Sequence, residues 1–306
     1  MKKLSIVIPC YNEEESIEIF LTETQKVEKQ LPEYEFEYIF VNDGSKDKTL
    51  EVLRKVSDIP NVHYLSFSRN FGKEAALLAG LEYSSGDYVT VMDCDLQDPP
   101  SLLPQMFDLI KTGYDVVGTK RKDREGESKI RSFFSRMFYK IINIVSDTEI
   151  VDGVRDYRLM TRQVVDSILE LKEVNRFSKG LFSWVGFDTT YIAYQNRERV
   201  AGETSWGFWS LLKYSIEGFV NFSEFLLNIA TYSGLIAFLS SFLAIIFIII
   251  RKLTIGGSVN GWASMVTIIL FIGGIQLLSI GVLGKYISKI FLETKRRPMY
   301  FVKEKK

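Results

Sequence analysis

Tyr88-Val89-Thr90-Val91-Met92-Asp93-Cys94-Asp95-Leu96-Gln97-Asp98-Pro99-Pro100 is the stretch on which the reading of this chain turns. Its first five residues form a short apolar run of the kind that makes a buried strand. Two carboxylates one residue apart, Asp93 and Asp95, then stand at that strand's C-terminal end. Open α/β sheets bind ligands at such ends. Oxygen donors so placed can share a hard divalent cation, which would in turn hold a diphosphate. The same residues can instead cap the turn leading into Pro99-Pro100, since short acidic turns are common. On spacing alone the two readings carry equal weight.

Upstream of that turn, short β-like runs alternate with amphipathic stretches through roughly the first 115 residues, the pattern of a mainly parallel sheet. Leu4–Pro9, Phe36–Asn42 and Val62–Ser66 read as strands. Glu14–Gln30, Asp47–Asp58 and Lys73–Tyr83 read as helices, the second opened by the Asp43-Gly44-Ser45 turn. After the first strand stands Pro9-Cys10-Tyr11-Asn12-Glu13-Glu14 and no glycine-rich fingerprint, which argues against a nicotinamide or flavin enzyme. The formal net charge over 306 residues is zero, so charge gives no case for nucleic acid. Cys10 and Cys94 are too few for a disulfide framework or a structural zinc site, which fits a reducing compartment. The opening Met-Lys-Lys resembles a signal peptide, but Pro9 and Asn12-Glu13-Glu14-Glu15 interrupt it. The N-terminal domain is therefore expected in the cytoplasm.

The C-terminal third belongs to another solvent. Phe225 to Ile250 carries no charge in 26 positions, and Leu253 to Gly284 none in 32. The second run opens with a Gly-rich turn, leaving 262–284 as its span. A membrane span needs about 20 apolar residues, so two transmembrane helices are expected. Lys285, Lys289, Lys295, Arg296, Arg297, Lys303, Lys305 and Lys306 follow, and the positive-inside bias puts this tail in the cytoplasm. Arg251 and Lys252 would snorkel from a short external hairpin.

Two amphipathic stretches precede the spans. In Ser128–Val145, Ile130, Phe133, Phe134, Met137, Phe138, Ile141 and Val145 share one helical face, with Lys129, Arg136 and Lys140 on or near the other. A helix on the membrane surface and one packed on the sheet fit equally well. Arg131 and Ser135 lie at the edge of the apolar arc, where they could hold an anion with an apolar tail, such as a lipid phosphate. Trp206–Glu224 pairs a stripe of Phe208, Leu212, Ile216 and Phe219 with polar residues. It reads as an interfacial helix, with docking on the domain as the alternative.

These segments together resemble the polyprenyl-phosphate glycosyltransferases of family 2, the branch of bactoprenol glucosyltransferases and dolichol-phosphate mannose synthases. The resemblance runs through Val7–Glu14, Val41–Asp47, Ser68–Lys73 and Asp93–Pro100. It continues in Asp156-Tyr157-Arg158-Leu159-Met160, Asn175-Arg176-Phe177, Trp184–Phe187 and Arg199–Thr204. It implies an α/β, Rossmann-like glycosyltransferase domain of GT-A type with a mainly parallel sheet, over 1–205. An interfacial helix at 206–224, two spans within 225–284 and a basic cytoplasmic tail at 285–306 would follow. Such a protein would be a multi-pass bacterial membrane protein with its catalytic domain and both termini cytoplasmic.

The resemblance also implies roles. Pro9, Tyr11, Glu13, Asp43, Lys73 and Asp93 would bind the nucleotide sugar. Asp93, Asp95 and Gln97 would hold Mg²⁺ or Mn²⁺, and Arg121, Arg131, Ser135 and Arg199 would contact the phosphate of a polyprenyl acceptor. Arg199–Trp206 would close over the donor. Asp156 stands where the family places its catalytic base, though Arg155 replaces a glycine common before it. A phosphate monoester has a second pKa near ~6 and is mostly ionised at neutral pH. Asp156 is therefore expected to position the acceptor or organise the arginines more than to take a proton.

The reaction expected is inverting transfer of one sugar, with UDP-glucose as lead donor and UDP-N-acetylglucosamine or GDP-mannose as alternatives. A separate flippase and a second transferase would then act on the product. Glycines at 273–274 and at 281 and 284 could support helix packing in a homo-oligomer. A processive polysaccharide synthase is disfavoured because the chain lacks further spans and a Gln-x-x-Arg-Trp motif. A catalytically idle nucleotide-sugar-binding protein is the competing class. Plain structural readings stand beside these roles: Asp43 as a turn cap, Arg121 in a solvated charge run, and His63 as a strand-edge residue.

Overall fold

The computed structural model of the chain describes residues 1–121, 153–194, 225–254 and 261–306. The expected alternation appears in the first part of the chain: β1 (Lys2–Cys10), α1 (Ile17–Glu28), β2 (Tyr34–Asn42), α2 (Thr49–Val56), β3 (Val62–Phe67), α3 (Lys73–Tyr83) and β4 (Tyr88–Val91). A 3₁₀ turn at Pro100–Leu102 leads into α4 (Leu103–Lys111), and β5 (Val116–Arg121) follows. β6 (Val154–Thr161), α5 (Arg162–Glu170), α6 (Ser178–Trp184) and β7 (Thr189–Tyr194) complete the globular part. Two long helices come next, α7 (Phe225–Thr254) and α8 (Trp262–Lys295), and then a last strand, β8 (Val302–Lys305).

One sheet has the order β7-β5-β6-β4-β1-β2-β3-β8. β1 pairs in parallel with β2 (Cys10 opposite Asn42) and with β4 (Val7 opposite Val91). β2 and β3 are also parallel, as are β5 and β7, whereas β6 runs antiparallel between β4 and β5. Because β1 has β2 on one side and β4 on the other, the strand order reverses beside β1. That reversal opens the crevice in which α/β sheets bind ligands.

The strands around β1 are apolar on both faces because helices cover both. On one face Leu4, Ile6 and Ile8 pack with Phe20, Leu53 and Phe107 from α1, α2 and α4. On the other, Val7, Val89 and Val91 meet Leu77 and Leu81 of α3, Val164 and Val165 of α5, and Phe182 of α6. Each such side chain, fully buried, contributes about 1.5–3 kcal/mol. Gly80 of α3 faces Val7, where an added Cβ would stand 2.2 Å from a valine methyl, so α3 lies close upon β1.

The basic tail is not only a tail. Residues 302–305 form β8, antiparallel on β3 with Leu65 opposite Lys305, and α8 runs on to Lys295 before left-handed Arg296 ends it. Tyr300 stacks on Phe67 with ring centroids 4.9 Å apart. Glu304 takes both Arg54 Nη2 at 2.6 Å and the Tyr64 hydroxyl. His63, expected at an edge, lies in β3 opposite Ile39, and β8 forms the edge beyond it.

α7 and α8 expose large apolar side chains, among them Phe238, Phe247, Phe271 and Leu277. Among the described residues, one stretch, Phe271–Lys295, is long and apolar enough to cross a membrane; Leu227–Leu243 of α7 is shorter. The base of α8 touches the globular part. Glu293 accepts the backbone N–H groups of Val174 and Asn175 at 3.0–3.1 Å, and Lys289 Nζ donates to Asn175 Oδ1 at 2.8 Å.

Candidate active site

The acidic turn leaves β4 at the mouth of that crevice. Met92, Cys94 and Leu96 are buried, as are the carboxylates of Asp95 and Asp98, whereas Asp93 and Gln97 are only part-buried. Leu96 takes a left-handed φ of 56°, a costly conformation for a branched side chain. Asp95 Oδ1 accepts the Gln97 N–H at 3.1 Å, so the turn-capping role exists and Asp95 performs it.

Asp93 engages α3 instead. Lys73 Nζ lies 2.7 Å from Asp93 Oδ1 and 2.6 Å from Asp156 Oδ2, joining the turn after β4 to β6. Burial alone would lower the Lys73 pKa, but the Asp156 and Asp93 carboxylates hold its ammonium well above the usual range. Burial alone would raise Asp156, yet Lys73 and Lys179 hold it well below the usual carboxylate range. Both partners therefore carry full charge at neutral pH.

Lys73 is aimed by what precedes it. Gly72 has φ 98°, and the Phe71 and Gly72 N–H groups donate to the buried Asp43 carboxylate at 2.6 and 2.9 Å. Burial pushes the Asp43 pKa up, and those two N–H bonds offset only part of the rise. Asp43 is thus a latch on the start of α3. Just before α2 it is Asp47, not Asp43, whose Oδ1 accepts the Thr49 N–H at 3.0 Å. Gly44 lets this loop rest on the Arg69–Asn70 backbone: a Cβ there would stand 2.3 Å from the Arg69 carbonyl carbon.

The loop after β1 is tied to the loop after β2. Asn12, itself left-handed, accepts the Lys46 N–H at 2.9 Å, and the Glu13 N–H donates to Thr49 Oγ1 at 2.8 Å. Ser16 Oγ donates to Glu13 Oε2 at 2.7 Å. Pro9 sits half-buried at the end of β1, and the Tyr11 ring is 42 % exposed beside it.

A second polar group lies across the turn. Arg155 donates to Gln97 Oε1 at 3.0 Å and to Asp98 Oδ1 at 3.3 Å, and Tyr194 of β7 donates its hydroxyl to Asp98. Arg121, at the end of β5, reaches the same Gln97 oxygen at 3.5 Å. Burial, and then the like charge of Arg155, lower the Arg121 pKa. Burial also raises Asp98, and Arg155 and Tyr194 offset part of that.

Of the expected residues, Pro9, Tyr11, Glu13, Asp43, Lys73, Asp93, Asp95, Gln97, Arg121 and Asp156 lie at one end of the sheet: at the carboxyl ends of β1, β2, β4 and β5, near the start of β6 and, for Lys73, at the start of α3. Arg131, Ser135 and Arg199 lie outside the described residues, as do the stretches 128–145 and 206–224 expected to be amphipathic helices. Arg155, Asp98 and Tyr194 were not foreseen as site residues. The substitution at Arg155 was a visible signal; Tyr194 had none. Among the described residues no three His, Cys, Asp or Glu side chains form a metal cluster. The donors at hand are hard oxygens, the kind that bind Mg²⁺ or Mn²⁺ through one or two carboxylates plus substrate phosphates. Gln97 could join that set only by giving up its arginine bonds.

Residues 5–169 match the glycosyl transferase family 2. Over 306 residues the chain is 45% identical to the bactoprenol glucosyl transferase of Shigella phage SfX, covering 99% of this chain and 100% of that protein. It is 43% identical over 306 residues to the prophage bactoprenol glucosyl transferase homolog of Escherichia coli K12, with 99% of each covered. Among solved structures, the mannosyltransferase PcManGT of Pyrobaculum calidifontis, in complex with GDP-Man and Mn²⁺, matches with a TM-score of 0.50. Its identity is 15%, and the match covers 94% of this chain and 87% of that one. At that identity the likeness shows the fold, a GT-A-like α/β arrangement.

Proposed function

The chain belongs to glycosyl transferase family 2, and from that premise we propose that it moves one glucose from UDP-glucose to a polyprenyl phosphate at the cytoplasmic membrane face. The observation that carries this reading is Lys73 bridging Asp93 and Asp156 at the sheet's switch point, in a chain so similar to bactoprenol glucosyl transferases. A diphosphate needs cationic partners where its charge grows on departure, and a fixed lysine at a strand end supplies one.

In this reading Pro9, Tyr11, Glu13 and Asp43 line the nucleoside pocket, with the exposed Tyr11 ring offered to the base. Asp43 acts there through the loop it latches. Asp93 and Asp95, with Gln97 once turned from the arginines, hold Mg²⁺ or Mn²⁺. Such an ion, when bound, neutralises charge on the leaving diphosphate. Lys73 would meet the same diphosphate from the α3 side. Arg121, with Arg131, Ser135 and Arg199, binds the acceptor phosphate through forked donors.

An acceptor phosphate oxygen then forms a bond to the anomeric carbon as the bond to UDP breaks, its electron pair leaving with the diphosphate. One such displacement inverts the anomeric centre. No proton must be removed, because the acceptor is already ionised. Asp156 is too weak a base for that task in any case, being held ionised by Lys73. Its work is to orient Lys73 and set the charge beside the reacting carbon.

α7 and α8 would be the two spans, since apolar surface exposed on every side of a helix needs lipid or protein to cover it. A flippase and a second transferase would act on the product beyond the membrane. Membranes from cells making the chain test the reading when given radiolabelled UDP-glucose, UDP-N-acetylglucosamine or GDP-mannose, each with and without EDTA. Label from UDP-glucose should enter an organic-extractable lipid and vanish with EDTA. Label from another donor alone would replace the sugar, and no lipid label with added polyprenyl phosphate would sink the transfer reading.

A further inference from the structure

We infer that Arg155 and Arg121 form one anion seat that takes the phosphate of the lipid acceptor, with Arg155 a direct phosphate ligand. The inference rests on the acceptor reading given above for Arg121 and extends it to a residue to which that reading gives no part. Two guanidinium groups converge here, one from the end of β5 and one from the start of β6. They share the amide oxygen Gln97 Oε1, at 3.5 and 3.0 Å, and both also meet the Tyr194 hydroxyl. The one carboxylate in direct contact, Asp98, is already bonded to Arg155 and Tyr194 and is only 2 % exposed. Two guanidinium groups thus have one carboxylate in direct contact, while Asp93, which also acts on Arg155, is engaged by Lys73.

Arg121 Nε is moreover buried with no hydrogen-bond partner among the described residues. A buried unmade donor costs free energy, and an orphan on a charged group points to a missing acceptor. A phosphate answers these features together: it accepts from Arg121 Nε and matches the planar fork of each guanidinium. The seat also adjoins the reaction centre. Arg155 and Asp156 are successive residues of β6 and grip the same turn from two sides, Arg155 at Gln97 and Asp98, Asp156 through Lys73 at Asp93. A phosphate arriving at Arg155 would draw on the donors that now hold Gln97, and so free Gln97 to turn toward Asp93 and Asp95.

A phosphate could come from the acceptor or from the donor's diphosphate, and binding separates the two. The purified full chain would be titrated with farnesyl phosphate, farnesol and UDP, for the wild type, Arg155→Gln and Arg155→Lys. Arg155→Gln should weaken farnesyl phosphate about tenfold or more, leave UDP within about twofold, and leave farnesol unchanged. Arg155→Lys should recover part of the loss, since charge returns without the fork. Equal affinity for farnesyl phosphate in wild type and Arg155→Gln would overturn the proposal. So would a loss confined to UDP, a parallel loss of both ligands, or a wild type that binds farnesol as tightly as its phosphate. A wild type that binds the phosphate through Arg155 yet transfers no glucose would leave the seat standing and sink the transfer reading alone.

Discussion

Lys73 Nζ lies 2.6 Å from Asp156 Oδ2 and makes its other ion pair with Asp93, so one ammonium joins two carboxylates that lie 63 residues apart in the chain. Each carboxylate belongs to a different strand end, and α3 delivers the cation between them. Removing the cation should leave two like charges facing each other. Lys73→Met should lower glucosyl transfer by about 10²-fold or more, the scale of losing a preorganised charge at a developing anion. Lys73→Arg should do less harm. Initial rates at saturating donor would check this, and a Lys73→Met enzyme within twofold of wild type would remove Lys73 from the site.

The same pair sets the pH behaviour of Asp156. An acid whose folded pKa lies below its unfolded value adds stability above the unfolded value and loses it as pH falls toward the folded one. With an unfolded value near ~3.9, the Asp156–Lys73 pair is intact throughout the neutral range and weakens only in acid. The rate profile between about pH 6 and 9 should therefore show no inflection from Asp156. Asp156→Asn should lower the rate by the same factor at every pH. Near-normal turnover in that variant would exclude an essential base, and a loss that recovers at high pH would contradict positioning.

Gly44 sits at φ +64°, against the backbone of residues 69 and 70. Gly44→Ala combines a strained conformation with a backbone collision that no side-chain motion relieves. Destabilisation of about 2 kcal/mol or more is expected, with donor binding weakened because the Asp43 latch on α3 shifts. Thermal unfolding of the purified chain would measure it, and an unchanged midpoint would show that the loop has room to move.

Glu304 ties β8 to the domain. Its hydrogen bonds from Arg54 and Tyr64 hold its pKa down at about 2, so the tie is present above the ordinary carboxylate range and lost as pH falls toward that value. Glu304→Gln should speed amide exchange in residues 302–305 and along β3 at neutral pH while leaving β1 and β4 protected. Deleting 301–306 should go further, leaving β3 with an open edge and inviting aggregation. Hydrogen exchange that is unchanged by both would mean that the β8 pairing does not depend on this carboxylate.

Several elements were plain in the sequence because their signals are local. Lys73–Tyr83 has the bounds expected, and β1 to β4 begin and end within two residues of the runs read as strands. Apolar periodicity within ten residues suffices for that. The stretch 285–306 reads as a basic tail, and the structure makes its residues 302–305 the edge strand β8. Its charges are those of a tail, and only the β3 edge supplies its partners. β6 could not be placed either, since its antiparallel fit between β4 and β5 depends on pairing across long chain separations.

The sequence by itself determined the α/β class, the acidic turn after β4, the apolar C-terminal helices and the family. Each rests on residue types in short, ordered patterns that the chain carries wherever it folds. Tertiary structure alone decided that Lys73 joins Asp93 to Asp156, that Asp43 latches α3, and that Arg155 meets Arg121 at Gln97. Those side chains are brought together by strand order and by helix packing over β1. A charge acts through its neighbours in space, and no spacing along the chain encodes which neighbour that will be.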